Sequence, residues 1–185
     1  VIATSTDKSD DPINGYCITN AVTCYRGSLN NVSERFRNIV TDNSIDAFVR
    51  LSGDSPLIDQ GIVDEAVSLF RDNDYDIVTN VLPRTYPKGQ SVEVLRSSVF
   101  LKAFPEMKKE KYCEHVTTYF YDNKKNYKIY NFVSGKDAGN IQLSVDTEDD
   151  MKMFEQIVSR MDRPQWQYNW EEVLSLYNLC CKSEK

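Results

Sequence analysis

Short apolar runs, each closed by small or polar residues and followed by a segment of helical spacing, recur along the first half of this chain. Val1–Ala3 is such a run, closed by Ser5-Thr6-Asp7 and followed by a short helix to about Thr19. Ala21–Tyr25 comes next, closed by Arg26-Gly27-Ser28, after which Val32, Phe36, Ile39 and Val40 fall on one helical face. Ala47–Leu51 is broken by Ser52-Gly53-Asp54-Ser55-Pro56, and Ile62, Val63, Ala66, Val67 and Phe70 then mark a helix starting near Asp59. Asp76–Asn80 is a fourth run. This alternation predicts βα units and an α/β fold, a three-layer sandwich around a mostly parallel sheet. Ligands of such sheets bind beyond the carboxyl ends of the strands, which directs attention to Thr4-Ser5, Arg26-Gly27-Ser28, Ser52-Gly53-Asp54 and Thr79-Asn80.

The second half is less regular. Strands are expected over Val92–Leu95, Tyr127–Val133 and Ile141–Val145, and helices over Tyr112–Tyr121, from Asp146 through Val158, and from about Asn169. No repeat or linker divides the chain, so 1–185 reads as a single domain, long enough to bury a core without disulfides or a structural metal. A net charge of −6 and a pI near 4.9 argue against a nucleic-acid footprint. Five cysteines without a repeated short spacing suit neither a disulfide framework nor a zinc site, and the expectation is a reducing, cytoplasmic setting. No run approaches the roughly 18 apolar residues of a membrane span, and no membrane contact is expected. The chain opens inside an apolar run without Met, so a segment preceding that strand is expected to be missing.

Asp54 lies just past a strand, on a turn where Gly53 lets the backbone approach a ligand and Pro56 fixes the exit. A carboxylate there suits a hard cation such as Mg²⁺, and equally suits a turn residue hydrogen-bonding its own backbone. Asp146 likewise follows an apolar strand and precedes a helix; it is either a second cation ligand or, with Thr147, an N-cap, whereas Asp149 and Asp150 read as complements of the helix N-terminus. Arg26, Gly27 and Ser28 combine a guanidinium, backbone N–H groups and a hydroxyl as nucleobase or phosphate loops do, and Arg35 is either a partner to them or a surface ion-pairing residue. Glu114-His115, carrying the single histidine, is an acid–base or substrate pair or else an ordinary packed histidine. P-loop, dinucleotide and nucleophile-elbow motifs are absent.

Taken in order, six segments resemble the cytidylyltransferase family, in particular its spore coat polysaccharide F type, related to CMP-3-deoxy-manno-octulosonate synthetase and acylneuraminate cytidylyltransferase. They are Val1–Asp7, Tyr25–Ser28 with Val32 and Arg35-Phe36, Val49–Asp59, Tyr86–Gly89 with Val92-Glu93-Val94, Glu114–Thr117, and Leu143–Asp150. The resemblance implies a nucleotide-diphospho-sugar transferase (Rossmann-like) fold. The implied reaction is attack of an acidic sugar on the α-phosphorus of CTP, giving a CMP-linked sugar and pyrophosphate for surface polysaccharide synthesis. It further implies Mg²⁺ on Asp54 and Asp146, the nucleotide against Thr4, Arg26, Ser28, Arg35 and Ser52, the acceptor against Glu93, Glu114 and His115, and a homodimer, which is expected through 112–133.

The family's Arg-rich triphosphate signature ending in Leu-Pro-x-Lys-x-Leu has no counterpart here, so the chain reads as a member without its first strand, triphosphate loop and first helix, impaired when alone. Gln90-Ser91 and Cys113 also replace residues usual in the acceptor pocket. Two alternatives stand beside the transferase reading: a non-catalytic remnant acting as a binding module, and a glycosyltransferase of the same fold, disfavoured by the lack of a D-x-D motif at a strand end.

Overall fold

A computed structural model describes residues 1–183 and divides into two compact units, Val1–Phe48 with Leu95–Lys128, and Val49–Val94 with the described residues from Ile129 onward. The expected α/β alternation is present. In the first unit, β1 (Ile2–Ser5) pairs in parallel with β2 (Cys24–Gly27), in register from Ile2 with Cys24 to Ser5 with Gly27. Between them runs α1 (Asp11–Thr19), with Pro12 in its first turn, where a missing N–H costs nothing. α2 (Val32–Asn43) starts at Asn31, whose side chain accepts from Glu34 N at 2.9 Å, and ends at Ser44 in the left-handed region. α4 (Ser97–Ala103), α5 (Glu110–Glu114) and α6 (Thr118–Asp122) complete the unit. Its interior is a chain of rings, Phe36, Phe48, Phe100, Phe120 and Tyr127, with successive centroids 4.9–6.5 Å apart.

β3 (Ala47–Arg50) leads into the second unit, where α3 (Gln60–Arg71), β4 (Ile77–Thr79), β5 (Glu93–Arg96), β6 (Ile129–Asn131), α7 (Glu148–Ser159) and α8 (Trp170–Ser183) follow. The second sheet has the order β3-β5-β4-β6, with β4 and β6 parallel. The stripe read from the sequence is the buried face of α3: Ile62, Ala66 and Phe70 are all buried. α7 and α8 close over a core of Leu57, Leu143, Ile157, Tyr168, Val173 and Cys180. Among the described residues no helix is long and apolar enough to cross a membrane.

Four expectations are corrected. The apolar run Val1–Ala3, which reads as the end of a buried strand, leaves Val1 and Ile2 exposed, and the buried part of β1 is Thr4 and Ser5 just beyond it. The run at Ala21–Tyr25 becomes a strand three residues later, after Ala21 turns through a positive φ of 53°. The single helix over Tyr112–Tyr121 is two short helices, because His115 is extended (φ −109°, ψ 94°) and carries the chain to the fully buried Val116. Ile141–Val145 is extended but bridges its neighbour only once, Gln142 to Lys88, because Gly89 turns that neighbour away at φ +91°.

Candidate functional site

The strand-end loops of the first unit hold one group of polar residues. Burial of Thr4 and Ser5 at the end of β1 leaves their polar groups in need of partners, and Asp10 supplies them: its Oδ2 accepts from Thr4 Oγ1 at 2.7 Å and from Ser5 N at 2.8 Å. These bonds hold the Asp10 carboxyl down at about 2. Arg26, at the parallel position of β2, donates from Nε to Ser5 O at 2.7 Å and from Nη2 to Asp7 O at 2.9 Å, and pairs with Asp11 at 2.8 Å. Its guanidinium therefore braces the loop after β1. A Cβ at Gly27, at the end of β2, would stand 2.9 Å from Arg35 Cγ and from Tyr25 Cε1, so those side chains would have to shift. The stem of Arg35 lies across that glycine, and its Nε is buried without an acceptor among the described residues. Burial lowers the Arg35 pKa, and the nearby Asp10 works against that shift. Ser28 is half-buried and carries no described hydrogen bond. Glu114 and His115 are exposed, with Glu114 Oε2 and His115 Nε2 3.9 Å apart.

Because its bonds to Thr4 and Ser5 favour the ionised form, Asp10 adds stability that is present above pH 4 and is lost as pH falls toward 2. Asp10→Asn should flatten the stability curve in that window and leave it parallel to wild type above pH 5. Thermal melts across pH 2–6 measure it, and an unchanged acid limb would contradict the assignment.

The second unit holds the paired aspartates. Val145 N donates to Asp54 O at 2.8 Å, so the Gly53 turn and the segment before α7 lie side by side. Asp54 accepts from Ser55 Oγ at 2.9 Å through Oδ1 and its other oxygen has no donor among the described residues. Asp146 accepts through Oδ2 from Gln142 Nε2 at 2.5 Å and from Ser144 Oγ at 3.3 Å, and leaves Oδ1 in the same condition. Thr147, not Asp146, caps α7: it accepts from Asp150 N, and Asp150 returns the bond in a capping box that lowers its own pKa. The Asp146 side chain takes no part in that cap, although its N–H donates to Asp150 Oδ2 at 3.1 Å. Two exposed carboxylates, each with an unengaged oxygen, fit a hard cation that takes oxygen ligands and completes its shell with water and phosphate. Among the described residues no cluster of three or more metal-ligating side chains exists.

The remaining expected residues differ in setting. Ser52 is half-buried, and its carbonyl accepts from Ser55 N at 3.3 Å to close the turn. Glu93 is 3% exposed and its Oε2 meets Arg50 Nη1 at 2.6 Å, so its carboxylate is neutralised inside the unit. Two residues whose sequence reading gave them no part in the aspartate loop hold it in place. Gln90 is fully buried; it accepts from Asp59 N at 2.9 Å and donates to Leu57 O at 2.7 Å. Asp59 in turn caps Gly61 N at 2.7 Å and Trp170 N at 2.9 Å. An amide following a turn glycine carries no sequence signal for such a role.

Residues 1–173 match the family model described as cytidylyltransferase. An uncharacterized protein of Methanocaldococcus jannaschii is 30% identical over 164 residues, 88% of this chain and 66% of its own. The spore coat polysaccharide biosynthesis protein SpsF of Bacillus subtilis is 26% identical, over 96% of this chain and 74% of its own. The chain thus spans about two thirds to three quarters of these relatives. A cytidylyltransferase structure from Leptospira borgpetersenii superposes with a TM-score of 0.87 at 26% identity, covering 97% of this chain and 74% of that one. CMP:2-keto-3-deoxy-manno-octonic acid synthetase complexed with CTP shares the fold, with a TM-score of 0.60 at 13% identity over 85% and 79% of the two chains. The alternating units, the glycine-backed strand ends and a match over nearly the whole length agree, and this chain is a member of the cytidylyltransferase family.

Proposed function

We propose that the protein transfers CMP from CTP to a sugar acid, releasing pyrophosphate. The observation that carries this reading is that the backbone segments bearing Asp54 and Asp146 are joined by the Val145-to-Asp54 bond, with one oxygen of each carboxylate unengaged. Both residues would hold Mg²⁺, and when bound the cation would neutralise phosphate charge and position the attacking oxygen. Displacement at phosphorus needs in-line positioning and charge neutralisation more than covalent catalysis, so the protein's task is to hold its ligands still. The Pro56 exit, the Gln90 clamp and the Asp59 cap do this for Asp54.

On the nucleotide side Arg35 is the residue of choice. Its buried Nε lacks an acceptor, and such a donor is stabilised by a ligand that supplies an oxygen. Arg26 and Thr4 keep their assignment to the same ligand through the loop they brace, and Ser28 and Ser52 each offer a hydroxyl on a strand-end turn. For the acceptor, Glu114 and His115 are accessible, whereas the carboxylate of Glu93 acts through Arg50. SpsF, named for spore coat polysaccharide biosynthesis, supports a surface polysaccharide as the destination. The reading also includes a cytoplasmic location and homodimerisation through 112–133.

Calorimetric titration with CTP tests the nucleotide half of this reading. Micromolar binding that weakens at least tenfold when Mg²⁺ is withdrawn is expected; equal binding of all four nucleoside triphosphates, or none of CTP, contradicts it.

A further inference from the structure

Gln142, Ser144 and Asp146 alternate along the stretch leading to α7, which bends at Ser144, and their hydrogen bonds to one another bring the three side chains to one face. On that face they form a closed set of hydrogen bonds. Gln142 Nε2 donates to Ser144 Oγ at 2.8 Å and to Asp146 Oδ2 at 2.5 Å, and the Ser144 hydroxyl donates to the same oxygen at 3.3 Å. Gln142 Nε2 also reaches Ser144 O at 3.2 Å. The backbone beneath is fixed from the other side. Lys88 N donates to Ile141 O and Leu143 N to Lys88 O, each at 2.9 Å, and Gly89 lies against Leu143 and Ser144 with no room for a Cβ.

We propose that Gln142 and Ser144 are positioning residues for the cation site: they engage one oxygen of Asp146 and so orient the other, Oδ1, outward. This rests on the reading of Asp54 and Asp146 as the cation ligands. The physical basis is rotational. Asp146 is exposed, and an exposed carboxylate turns freely about its last torsion unless donors hold it. Two donors on a single oxygen remove that freedom before any cation arrives, and partners that orient a metal-bound carboxylate typically contribute 10–100-fold in affinity. The donors are neutral, so they fix the carboxylate without cancelling the negative charge a cation requires.

Mn²⁺ in place of Mg²⁺ gives a readout independent of turnover, since without nucleotide the Mn²⁺ held by the protein is counted by the loss of the free-ion EPR signal. Gln142→Met keeps the length and stem of the side chain and removes its donors; Ser144→Ala removes the hydroxyl. Each should weaken Mn²⁺ binding about tenfold, and both together by more. In the pyrophosphate assay the metal concentration for half-maximal rate should rise in parallel, with kcat at saturating metal within about twofold of wild type. A residue of merely structural importance would lower kcat and the thermal midpoint together. Gln142→Met and Ser144→Ala binding Mn²⁺ as wild type does, while Asp146→Asn does not, overturns the positioning role alone. Wild-type Mn²⁺ affinity in Asp146→Asn overturns the underlying cation reading.

Discussion

Asp146→Asn and Asp54→Asn should each lower CTP-dependent pyrophosphate release by on the order of 100-fold or more, with little change in thermal stability. Both side chains are exposed, and Asn preserves their size and can accept the bonds now made by Ser55, Gln142 and Ser144. What is lost is a full negative charge where a cation and a triphosphate meet. A surface carboxylate without such a role changes stability by only about 0.5 kcal/mol and activity hardly at all. The assay therefore separates the cation reading from the plain turn reading that the sequence also allowed for Asp54. Release above one tenth of wild type in both variants would sink the assignment.

Gly89→Ala should destabilise the protein by roughly 2–5 kcal/mol, measured by urea unfolding. Two costs combine. Gly89 sits at φ +91°, a region that L side chains rarely adopt, and an ideal Cβ there would stand 2.7 Å from both Leu143 C and Ser144 N. These contacts are backbone and cannot rotate aside. The chain can relax only by parting the Lys88 bridge to 141–143, which would also displace Ser144 and Asp146. A loss below 1 kcal/mol would show that the segment before α7 is not pinned there.

How much of this was legible in the sequence depends on punctuation. α3 was readable because Ser-Gly-Asp-Ser-Pro separates it from β3, Asp59 caps it and a clean apolar stripe follows. α4 was missed because it begins directly at Ser97, without any turn residue after β5. The break at His115 was invisible for a different reason: Val116 is drawn to the interior by tertiary burial, against the helical periodicity around it. At the candidate site, Asp54 and Asp146 were singled out by their place just after apolar runs, since that place is written in the alternation itself. The bracing roles of Arg26 and Thr4 were not, because they depend on Asp7, Asp10 and Asp11 folding back over β1. The Gln142-Ser144-Asp146 set did carry a signal, polar residues at every second position before a helix cap, but period two reads as a strand until its hydrogen bonds are seen.

The central claim is nucleotidyl transfer, and phosphorus NMR of the protein with CTP, Mg²⁺ and a panel of sugar acids tests it most directly. The account predicts that one acid converts CTP into equal amounts of pyrophosphate and a CMP-linked sugar, seen as a new phosphodiester resonance. CTP that binds yet stays intact with every acceptor, or that yields no phosphodiester product, would contradict it.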